Sequence, residues 1–212
     1  MKRVVMVLAL AASAASPAAA QWFGMPAWNS PKGGTGVTIS GDYAKPNADY
    51  GKGNAFGARA SLGLANLTVT AGFASWKPEG ATNSLTDVGG QAAFRVIGGS
   101  LIPVSINLQL GAGRASCTGC TALTTITAGG GVSASIPSPG VSIEPYLSIS
   151  NRWHKSSGIS TESNIGWVLG ANVGFGMFGV HIAYDSEKFN SGATGSVIGI
   201  GAHVALKAPI GM

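Results

Sequence analysis

The sequence predicts an all-β chain: a closed, antiparallel, up-and-down transmembrane β-barrel of ten strands, with eight as the alternative count. Three observations predict it. From residue 35 onward apolar residues recur with a period of two, so each segment has one apolar face and one polar or tiny face. The links between segments are alternately long and short, which in a meander collects long loops at one end and tight turns at the other. Charged residues make up only 10% of the chain, against about 25% in an average protein.

The segments follow in order. Val37, Ile39 and Tyr43 alternate with Thr38, Ser40 and Asp42. Phe56 to Leu64 carries apolar side chains on even numbers, with Arg59 and Ser61 between them. Leu67, Val69, Ala71 and Phe73 oppose Thr68 and Thr70. Val88, Ala92, Phe94 and Val96 oppose Gln91 and Arg95. Val104, Ile106, Leu108 and Leu110 oppose Ser105, Asn107 and Gln109. Ile126, Ala128, Val132 and Ile136 oppose Thr125, Thr127 and Ser133. Val141, Ile143, Leu147 and Ile149 oppose Ser142, Glu144, Tyr146 and Ser148. Ile165, Trp167, Leu169 and Val173 oppose Gly166, Gly170 and Asn172. Phe178, Val180, Ile182 and Tyr184 oppose His181 and Asp185. Ile198, Ile200, Ala202, Val204 and Leu206 oppose Gly199, Gly201 and His203. Residues 165–184 could be read as a membrane helix, but the period of two and the glycines running through them favour strands.

Long polar links follow the first, third, fifth, seventh and ninth segments, and short ones the rest. Hydrocarbon offers no partner to an open sheet edge, so a sheet in lipid must close on itself. The apolar set is then expected to face lipid and the small and polar set the lumen. Tyr43, Phe56, Phe73, Trp153, Trp167 and Tyr184 fall near the long-loop ends, and Phe94, Phe175 and Phe178 near the tight turns. Such placement suits the two aromatic girdles of a membrane barrel.

Residues 1–20 read as a cleaved secretory signal peptide: Met1-Lys2-Arg3, a short apolar run from Val4, then Ala18-Ala19-Ala20. Removing them lowers the formal net charge from +5 to +3. With no basic stripe, nucleic acid is not an expected partner. Residues 21–34 form an aromatic, proline-broken N-terminal periplasmic segment, placed at the interface or in the barrel mouth. The barrel is expected over 35–207 and a C-terminal tail over 208–212. Cys117 and Cys120 lie between two strand-like runs, which in an exported chain points to a disulfide and not to a redox or zinc motif. No metal or other cofactor is expected.

The inward parity collects a lumen polar cluster of Arg59, Arg95, Glu144, His181, His203 and Asp185, with Asn107, Gln109 and Asn172 beside them. Glu144 is expected to pair with Arg95 or Arg59, because a guanidinium fork matches a carboxylate.

Patterned in this way over residues 35–206, the chain resembles the small outer-membrane β-barrel proteins of bacteria with two membranes, in the broad OmpA/OmpX-like sense. The resemblance implies an integral outer-membrane protein that is surrounded by outer-membrane lipids and inserted by the outer-membrane assembly machinery. It implies a non-enzymatic role: envelope structure, adhesion or a narrow, porin-like channel. Two alternatives stand beside it. His154-Lys155-Ser156 is similar to the His-x-Ser of lipid A deacylase barrels, with His154 as base and Ser156 as nucleophile, although strand parity turns His154 toward the lumen. The other alternative is a soluble secreted β-protein that binds a small ligand.

Overall fold

The computed structural model describes residues 22, 24–26, 30–98, 102–158 and 160–206; the expected signal peptide (1–20) and tail (208–212) lie outside the described residues. The strands are β1 (Gly36–Pro46), β2 (Asn54–Leu64), β3 (Leu67–Lys77), β4 (Leu85–Ile97), β5 (Val104–Ser116) and β6 (Leu123–Ala134). They continue with β7 (Ile136–Ser138), β8 (Val141–Ser156), β9 (Glu162–Phe175), β10 (Phe178–Lys188) and β11 (Thr194–Leu206). Apart from β6 and β7, which both pair with β8, each pairs antiparallel with its chain neighbour, and β1 closes onto β11 from Val37↔Leu206 to Pro46↔Val197. The ring therefore has no free edge.

β6 and β7 form one stave, so the barrel has ten. Both lie on β8 in an unbroken register, Ser133↔Tyr146 and then Ile136↔Ile143. The interruption at Ser135 falls opposite Glu144 and Pro145, and proline brings no N–H to the ladder. Ser135 N–H instead bonds the Pro103 carbonyl at 2.6 Å. The two-residue turns Ala65-Asn66 and Gly176-Met177 each open with a positive φ, 57° and 66°, which suits the right-handed twist of a hairpin.

The strand parity read from the sequence holds along every stave. Outward residues are apolar and exposed: Ile165 is 68% exposed and Leu108 and Leu110 60% each. Inward residues are mostly small, polar or charged, with Trp76, Val168 and Val197 as large apolar exceptions in the loop-end half. A soluble sandwich would bury this aliphatic belt against a second layer, and here nothing among the described residues covers it. That disagrees with a soluble secreted β-protein.

Glycine supplies the space inside. A Cβ on Gly166 would overlap the Arg152 guanidinium, and one on Gly170 would overlap the Tyr146 ring. These two large inward side chains of β8 thus lie over bare backbone on β9. A ten-stranded ring is narrow, and the 33 glycines of the chain are in part what fits such side chains into it.

Candidate functional site

The lumen is the candidate site. It holds two polar clusters with a hydrophobic layer against the upper one. At the turn end, β1, β2, β10 and β11 bring together Asp42, Arg59, His181 and His203. Arg59 Nε lies 3.4 Å from Asp42 Oδ2, and Asp42 Oδ1 lies 2.7 Å from His181 Nε2. The His181 and His203 rings stack with centroids 5.5 Å apart and Nδ1 atoms 3.2 Å apart. A cavity of about 430 Å³ opens beneath them, with Glu144 and Asn172 on its far wall.

Glu144 does not pair with Arg59 or Arg95, contrary to the expectation. Its carboxylate accepts from Ser30 Oγ at 2.7 Å, from the Lys32 N–H at 3.2 Å and from Asn172 Nδ2 at 3.3 Å. Arg95 donates to the Lys32 carbonyl at 2.6 Å and to Asn66 Oδ1 at 2.8 Å. The two charges act on one object: the backbone and hydroxyl of residues 30–32, which they hold from opposite sides. Parity places both residues correctly, but a carboxylate satisfied by a serine and a backbone amide leaves no signal in strand periodicity.

The N-terminal segment continues inside the ring. Trp22 and Met25 are buried with Ala44, Ala55, Ala74 and Trp76. A Cβ on Gly24 would meet the Trp76 side chain, and the Met25 methyl rests against Gly57. Of the two positions open to this segment, interface or mouth, the structure takes it past the mouth and into the loop-end half of the lumen.

The second cluster lies in that half. Arg152 on β8 grips Asp185 on β10 through two parallel bonds, 2.8 Å and 3.1 Å, and reaches Glu187 at 3.1 Å. Glu187 also accepts from Asn164 Nδ2 at 2.9 Å and meets His154 Nε2 at 2.5 Å. Arg152, Asp185 and Glu187 are each about 1% exposed. So Asp185, expected with the other lumen charges, sits in a different cluster. Arg152 and Glu187 were not anticipated, although each shares parity with an anticipated residue, Glu144 and Asp185 respectively.

His154 and Ser156 bond to different partners and not to each other. His154 Nδ1 is 2.9 Å from Thr125 Oγ1 and its Nε2 faces Glu187, while Ser156 Oγ donates to the Ala122 carbonyl at 3.2 Å. Cys117 and Cys120 are joined in a disulfide, Cα atoms 5.4 Å apart, at a long-loop tip. The aromatic residues take the expected outward places. Tyr43 lies against Phe56 at 5.2 Å and Trp167 against Tyr184 at 5.4 Å near the loop end, while Phe94, Phe175 and Phe178 are half-exposed near the turns. Phe73 is likewise exposed, and Trp153 shares its outward parity. Among the described residues no group of three or more histidine, cysteine or acidic side chains is arranged to hold a metal.

No family model matches the sequence, and no curated protein matches it. Solved structures do. The β domain of the Bordetella autotransporter BrkA is similar over 81% of this chain and 100% of that one, with a TM-score of 0.55 and 9% identity. A bacterial polysaccharide outer-membrane secretin is similar over 81% of this chain, with a TM-score of 0.50 and 10% identity. The chain spans 66% of that secretin's length. At such identities the likeness is one of fold: the chain has the fold of the small outer-membrane β-barrels.

Proposed function

We propose that the protein is an integral, non-enzymatic barrel of the bacterial outer membrane, closed by its own N-terminal segment and serving as envelope structure. One observation carries the choice among structure, adhesion and channel: the loop-end half of the lumen is packed, and residues 30 and 32–36 line the cavity in the turn-end half. Residues 30–32 are clamped by Glu144 and Arg95 at the turn end, and Trp22 and Met25 pack in the loop-end half. Beside them the Arg152, Asp185 and Glu187 side chains bridge β8 to β10. The belt of exposed aliphatic residues supports residence in lipid, where a closed ring satisfies every ladder bond internally. Export would follow from the signal peptide expected over residues 1–20.

Planar-bilayer recording tests this. The refolded full chain is expected to insert without conducting, and a chain lacking residues 21–34 to show discrete conductance steps. Steps of equal size in both would mean that the segment closes nothing and that the barrel is a channel.

A further inference from the structure

The charges on the strands are sorted by face. The acids of the strands, Asp42, Asp87, Glu144, Glu162, Asp185 and Glu187, all have inward parity. The outward parity carries cations alone: Lys45, Lys77, Arg114, Lys155 and Lys188. Each stands among the last three residues of its strand, on β1, β3, β5, β8 and β10, which are the five staves that run toward the loop end. The ring therefore carries one outward cation on every second stave, at one end only. No strand presents an outward charge at the turn end.

All five are exposed, and among the described residues none has an ion-pair partner. The loop cation Lys52, in contrast, pairs with Glu79 at 3.6 Å. An ordinary water-facing surface intersperses both signs; five unneutralised cations around a rim repel one another and attract anions. Their position names the kind of anion. On four of these five staves an outward aromatic, Tyr43, Phe73, Trp153 or Tyr184, stands two or four residues below the cation, and below those lies the aliphatic belt, so the outer wall runs from aliphatic to aromatic to cationic toward the loops. A ligand complementary to that sequence has alkyl chains and, at their boundary, a phosphate, which matches an ammonium or guanidinium donor.

We propose that this rim binds the headgroups of phosphate-bearing lipids in the leaflet at the loop end, fixing the depth and direction of the barrel. The proposal rests on the membrane reading given above, because only in a bilayer does the belt bring headgroups level with the rim.

The test uses the full chain, folded in a neutral detergent, and lipid A in its bis-phosphorylated and dephosphorylated forms. Native mass spectrometry should show bis-phosphorylated lipid A retained and the dephosphorylated form lost. Each single substitution, Lys45→Gln for example, should weaken retention by about fivefold. The variant with all five cations changed to glutamine should lose the preference while keeping the folded gel mobility. Lys32→Gln, in the lumen at the turn end, should change nothing. Equal retention of both lipids, or unchanged retention by the fivefold variant, overturns the proposal. Failure of the wild type to enter neutral phosphatidylcholine vesicles would instead overturn the membrane reading, so the two failures are distinct.

Discussion

Arg152 is the side chain whose loss should cost most. Its guanidinium is buried between two carboxylates, and removing it leaves Asp185 and Glu187 as like charges without their shared counter-ion. Breaking a buried pair in this way costs about 3–5 kcal/mol, whereas replacing all its members with apolar groups of similar volume is often neutral. Arg152→Met should therefore lower the urea midpoint of the folded barrel strongly, and adding Asp185→Leu with Glu187→Met should restore much of the loss. A single variant as stable as the wild type would show that the carboxylates find other partners. These residues also mark where the sequence stops being readable. Arg59, His181 and His203 stand in clean alternation, so their inward direction is plain. Arg152 lies in Ser150-Asn151-Arg152, where both faces turn polar near the loop end, and Glu187 lies in Ser186-Glu187-Lys188, which composition cannot tell from a loop. Periodicity is a contrast between faces, and it fades where the outer face leaves the hydrocarbon.

At the scale of elements, the staves were legible and the segment inside them was not. Alternation specifies a strand because a one-residue slip would move its whole apolar set to the wrong face. The N-terminal segment has no such rule. Gln21-Trp22-Phe23-Gly24-Met25-Pro26 reads as aromatic and broken, and what places its described part is a match to bare backbone at Gly57 and a clamp from Glu144, both distant in sequence. The clamp can be loosened alone. Glu144→Ala removes the acceptor of Ser30 Oγ and of the Lys32 N–H while leaving the β8 ladder intact, because that ladder is made by the backbone. The variant should keep its folded mobility yet become more sensitive to trypsin at Lys32, whose backbone in the wild type is held in place by Glu144 at its N–H and Arg95 at its carbonyl. Equal cleavage of both would show that the apolar contacts of Trp22 and Met25 hold the segment without help from Glu144.

At the scale of the molecule, what joins inside and outside is closure. The seam between β1 and β11 sets ten residue pairs in register, compared with nine between β1 and β2, so the first and last strands are bound as fully as sequential ones. That seam is the least local pairing in the fold, joining Val37 to Leu206, and its loop-closure entropy must be met before its ladder bonds form. A partial ring would present two open edges, and in hydrocarbon those edges have no partner. Removing residues 194–206 should thus do more than subtract one strand in ten: β1 and β10 become unpaired edges together. On unheated electrophoresis the full chain should migrate faster than its boiled form, as a closed and detergent-resistant ring. The shortened chain should show a single heat-independent band and should aggregate when moved from denaturant into vesicles. A shortened chain that keeps the fast band would mean that nine staves can close on themselves, with β10 taking the place of β11 against β1.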